Sequence, residues 1–144
     1  MIFRSIILTI VLVLCLNTSS LAQNEIIHSD AQQYLEFLRE EQAELDFQVR
    51  HGEINHSFYT LASNRLKILR ELIISYGHNS QKDKMPEYHV VLAKELETLI
   101  PDGFAKIKKA KPNQIIDERW LFVKTITKGE TFYILERLNN SSLE

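Results

Sequence analysis

The chain has 144 residues, 44% hydrophobic and 25% charged, with a formal net charge of −2 at pH 7 and a single cysteine, Cys15. This is enough apolar material for one domain with a true core, and too little positive charge overall for a protein held on nucleic acid by its phosphates. One cysteine excludes an intrachain disulfide framework.

The chain opens with a short positive start, Met1 to Arg4, followed by the apolar run IILTIVLVLCL from Ile6 to Leu16. Ser20-Leu21-Ala22 then places small residues at the −3 and −1 positions of a cleavage site before Gln23. This is the pattern of a secretory signal peptide. Residues 1–22 are therefore expected to be removed after Ala22, leaving an exported protein, periplasmic or secreted. As a helix the run would rise about 16 Å, roughly half a bilayer core, so no permanent membrane span is expected after cleavage. Cys15 lies inside the run, but a lipoprotein signal wants a small residue before the cysteine, and Leu14 is large. The chain from Gln23 to Glu144 would carry no cysteine and a net charge of −3. That charge is segregated: Glu25 to Glu53 holds eight acids and two bases, Phe104 to Lys128 seven bases and two acids. The two groups either face each other or give the molecule two poles.

Asp30 can cap a helix, and Leu35, Leu38, Gln42, Leu45 and Val49 recur at helical spacing, which predicts a helix over 30–51. Tyr34 and Phe37 widen its apolar side, and Glu40, Glu41, Glu44 and Asp46 cover the outside. Gly52 can take the left-handed conformation that ends a helix. A second helix is predicted over 54–77. Tyr59, Ala62, Leu66, Leu69, Ile73 and Tyr76 form one stripe, and Ile54, Phe58, Leu61, Ile68 and Leu72 a second beside it. So broad an apolar surface must be covered on more than one side. The short connection makes the two helices an antiparallel hairpin. The turn QVRHGEINHSFYTL, with Gly52, Ile54 and Phe58, resembles that of the short helical-hairpin modules called SHOCT domains. Such modules mediate association, so the resemblance implies contact surfaces.

Ser80 to Lys84 reads as a loop. A third helix is expected over 86–100, with Pro86 in its first turn and Val90, Val91, Ala93, Leu96, Leu99 and Ile100 on its apolar side. Phe104 to Lys111 alternates and is expected to be a short strand opening a β-region over 104–138, followed by a turn at Pro112-Asn113. The hairpin about 119–138 follows, and 139–144 is a polar, flexible tail. The expectation is a single α+β domain over 23–144: an N-terminal antiparallel helical hairpin and a third helix, packed with a small C-terminal antiparallel β-sheet.

The hairpin is apolar on both sides. Strict alternation sends Trp120, Phe122, Lys124 and Ile126 one way and Leu121, Val123, Thr125 and Thr127 the other. Its turn is either a three-residue Thr127-Lys128-Gly129 loop with Gly129 left-handed or a two-residue Lys128-Gly129 turn. One face packs on the helices. The other is interior to the monomer, a homodimer interface, or a face for another protein, a peptide or a lipid. Trp120, Phe122 and Tyr133 are the candidate interaction residues, being of the types enriched where contacts are strong.

Of the remaining candidates, the turn with His51, Glu53 and His56 and the row of Glu36, Glu40 and Glu44 read as solvated surface. Glu53 and His56 have the i, i+3 spacing used in di-iron bundles, but with His51 they straddle a turn. Glu36, Glu40 and Glu44 form a carboxylate row on a polar helix face. Ser57, Ser63 and Ser75 sit in no nucleophile elbow, and no phosphate-binding glycine loop is present. No catalytic, metal-binding or cofactor-binding residue is assigned. Lys106, Lys108, Lys109 and Lys111 form a candidate anion-contacting patch. The alternatives for it are a solvated strand edge and a contact with the acidic first helix, within or between chains. No nucleic acid partner is expected. The chain thus reads as a non-enzymatic interaction or assembly module outside the cytoplasm, its partner another protein or a second copy. The alternative is a small extracytoplasmic hydrolase-type enzyme whose site the sequence does not reveal.

Overall fold

A computed structural model describes residues 29–79 and 85–138. The expected signal peptide with Cys15, the 80–84 loop and the 139–144 tail lie outside the described residues.

Helices α1 (Ser29–Arg50) and α2 (His56–Asn79) form the antiparallel hairpin that the spacing predicts. The Asn55 side chain accepts the Phe58 N–H at 2.8 Å and so caps α2. Between the helices, Gly52 has φ +73°, and the Glu53 N–H closes on the Gln48 carbonyl at 2.9 Å. Ala31 and Leu38 of α1 are buried against Ile73, Leu66 and Leu69 of α2. The other stripe of α2, with Ile68 and Leu72, is buried against a sheet. The two stripes read from the sequence match the two covered sides of α2 from Leu61 onward, whereas Phe58 of the second stripe is exposed and Ile54 precedes the helix.

The sheet corrects two expectations. Residues 87–92 are strand β1 (Glu87–Leu92), and only Ala93–Leu99 is helical, as α3. Both faces of β1 are covered: Val90 and Leu92 face α2, and Val91 faces the opposite cluster. A strand buried on both sides shows a continuous apolar run that periodicity does not separate from a helix. Pairing decides it, because Val90 lies opposite Ile134 in an antiparallel ladder. Conversely, the expected strand at 104–111 is helix α4 (Gly103–Lys109). Its buried residues, Gly103 and Ile107, are four apart, and its lysines gather in the last turn, where the helix dipole favours cations.

Strands β2 (Gln114–Asp117), β3 (Trp120–Lys128) and β4 (Glu130–Arg137) complete a four-stranded antiparallel sheet of order β1-β4-β3-β2. Thr127 pairs with Thr131 and Lys128 with Glu130, which leaves Gly129, φ +74°, at the tip. This register is neither that of a Thr127–Gly129 loop nor that of a two-residue Lys-Gly turn, and so corrects both expectations. A bulge between Phe122 and Lys124 breaks the strict alternation expected of β3. Trp120 and Phe122 keep one face, whereas Val123 and Ile126 both join the face packed on α2. The result is α+β and layered. The helical hairpin covers one face of the sheet, with α1 outermost, and α3 and α4 cover the other through Leu96, Ile100 and Ile107.

Candidate interaction surfaces

Trp120 and Phe122 lie in the interior. Trp120 is 9% exposed and Phe122 5%, in the cluster with Leu96, Ile100, Ile107 and Leu135. Trp120 meets the His89 ring edge-on at 4.9 Å between centroids. Tyr133 is half-buried, and its ring meets that of Phe104 edge-on at 6.1 Å. The hairpin face these three residues occupy is closed by α3 and α4 of the same chain.

The lysines lie on α4 and the turn after it. Lys106 bonds Asp117 at 2.8 Å and holds that carboxyl below its ordinary pKa. The Lys108 ammonium sits 5.0 Å from the centre of the Phe104 ring, one helical turn back. Lys109 and Lys111 are exposed. The basic cluster and the acidic α1 are outer elements on opposite sides of the sheet.

The exposed large apolar side chains among the described residues are Tyr34, Phe37, Phe47, Phe58 and Ile115. Tyr34 and Phe37 are 39% and 49% exposed, their rings 6.0 Å apart. With Asp30, Glu41 and Glu44 they make one exposed face of α1, at spacings of four, three, four and three residues. Its periodicity matches that of the buried face beside it, so in the sequence the two aromatics appear as part of a wide core stripe. Only the width of the partner helix shows that they stay outside.

Other polar constellations hold the fold. In the seam between α1 and α2, Gln42 donates to Asp46 at 2.8 Å and to Ser63 at 3.1 Å, and the Tyr59 hydroxyl donates to Asp46 at 2.8 Å. These donors, Gln42 first, keep the Asp46 pKa low. They fix the register of the helices below a groove of about 340 Å³ rimmed by Arg39, Lys67 and Arg70. A wider hollow of about 690 Å³ lies between the start of α2 and the Gly129 turn, where the Asn64 amide donates to the Lys128 carbonyl at 2.9 Å. At the other end of the sheet Glu87 pairs with His89 at 2.9 Å and Arg137 at 3.4 Å, and its carboxyl is held acidic by them, His89 first.

Glu36 pairs with Arg39, Glu44 accepts from Gln48, and Glu40 is exposed, so the carboxylate row is a solvated face. His51 bonds the Phe47 carbonyl at 2.8 Å and stacks on the Phe47 ring. Among the described residues no group of three ligating side chains could hold a metal ion. The Glu-x-x-His spacing of Glu53 and His56 recurs at Glu25 and His28, outside the described residues. No described helix is long and apolar enough to cross a membrane.

No protein-family model, curated protein or solved structure matches the chain. The SHOCT-like turn around Gly52 is thus a local likeness.

Proposed function

We propose that this protein is an exported, non-enzymatic interaction or assembly module that works outside the cytoplasm and makes its contacts through the outer face of α1. The supporting observation is the pair of exposed aromatics, Tyr34 and Phe37, on a helix packed along its opposite side on α2. With α2 on one sheet face and α3 and α4 on the other, Tyr34 and Phe37 are two exposed aromatics whose rings lie side by side on one helix face, 6.0 Å apart, where a partner can cover both. Tyrosine and phenylalanine supply large contact areas with few rotatable bonds. The signal-peptide pattern supports export.

A photo-crosslinking residue at Phe37 tests this in living cells. Adducts should form there and not with the same probe at Thr125, an exposed position on β3. No adducts at Phe37, or equal labelling at both positions, overturns the reading.

A further inference from the structure

We propose that the partner of the α1 face is a second copy of this chain, bound head to tail through its α4 lysines. This rests on the interaction reading above and names its partner.

Charge complementarity carries the inference. The outer face of α1 presents Glu41 and Glu44 beside Tyr34 and Phe37, all exposed. From Gly103 to Lys111 the chain has four lysines and no acid, and Lys108, Lys109 and Lys111 are exposed. Lys106 is occupied by Asp117 and contributes less. The two surfaces complement each other in two ways. Lysine ammoniums attract carboxylates, and they also attract the faces of aromatic rings. The chain already makes the second kind of contact within itself, with Lys108 over Phe104.

These surfaces cannot meet within one molecule, because α1 lies outside α2 on one face of the sheet and α4 lies on the other. They can meet between molecules. Such a contact joins two different patches, so each bound copy leaves one acidic and one basic patch open. Assembly of this kind grows as a chain unless its rotation closes a ring. Because its attraction is between exposed charges, the contact weakens as salt shortens the screening length.

Sedimentation velocity over a dilution series tests the proposal, using the purified chain in the form that processing leaves. At about 20 mM salt the average sedimentation coefficient should rise with concentration, and at about 300 mM that rise should be lost. Glu41→Lys with Glu44→Lys makes both patches basic. Lys108→Glu with Lys109→Glu makes both acidic. Each double variant alone should bind itself at least about tenfold more weakly. An equimolar mixture should associate again, because each variant then meets its opposite. Should a reversed variant fail to fold, Glu41→Gln with Glu44→Gln and Lys108→Gln with Lys109→Gln should each weaken self-association. A wild-type chain that stays monomeric at low salt overturns the proposal. So does association that survives in both variants, or a mixture that does not reassociate. If the chain stays monomeric while Phe37 still cross-links to a different protein, the interaction reading stands and the self-assembly proposal falls.

Discussion

Arg65 and Glu95 tie the two sides of the sheet together. The guanidinium of Arg65, on α2, reaches both oxygens of Glu95 at 2.9 and 2.8 Å. Glu95 also accepts the Leu92 N–H at 2.8 Å where α3 begins. Burial raises the Glu95 pKa, but the Leu92 N–H and Arg65 outweigh it, and the value lies below the ordinary 4.5. A carboxyl with a depressed folded pKa stabilises the fold fully above its unfolded value and loses that contribution as pH falls through the folded one. Glu95→Gln should therefore cost about 1–2 kcal/mol near pH 7, the pair being about one-third exposed. The wild-type advantage should shrink below pH 4.5. Denaturant titrations of both proteins across pH check this, and a constant difference at acid pH counts against it. The pair was not legible in the sequence, because its partners are thirty positions apart and sit on elements whose types were themselves ambiguous.

Among the elements, α1 stands apart. It packs through Ala31, Leu35 and Leu38 on α2, whereas α2 is held from both sides. An element with one packed side opens before one with two. Leu38, 4% exposed, is central to that seam. Leu38→Ala should speed amide exchange in α1 by roughly 30-fold or more, equivalent to about 2 kcal/mol. Exchange in β4, where Phe132, Ile134 and Leu135 are fully buried, should not change. Equal acceleration of both would mean that α1 and the sheet open as one unit. The two helices of the hairpin were legible because each keeps its period over many turns. The elements at 87–109 were not, because each is short. Val90, Val91 and Leu92 fit a helix or a doubly covered strand equally well until Ile134, Tyr133 and Phe132 are set opposite them.

At the scale of the molecule, export is the expectation that most affects where the protein acts. The chain recovered from the envelope or medium should have an intact mass that begins at Gln23. Recovery of the 16.8 kDa full-length chain from the cytoplasm alone would refute export. The layered arrangement also gives the segregated charge its meaning. The acidic helix and the lysine-rich helix are separated by α2 and the sheet, so the molecule has two poles. A lysine patch on a strand edge would have discouraged pairing between copies. On the outer side of α4 the same lysines form a docking surface in the proposed assembly.

The sequence by itself determined the α+β class, the helical hairpin with its Gly52 turn, and the presence of a β-hairpin turning at Gly129. These follow from local periods and backbone preferences, which neighbours in the chain are enough to set. Tertiary structure alone decided that 87–92 pairs as a strand, that 103–109 coils as a helix, and that the bulge after Phe122 sends Val123 and Ile126 to the same face. It also decided that Trp120 and Phe122 are core while Tyr34 and Phe37 are surface. In all of these cases the local pattern fits two outcomes, and the choice rests on which distant residues come to lie opposite.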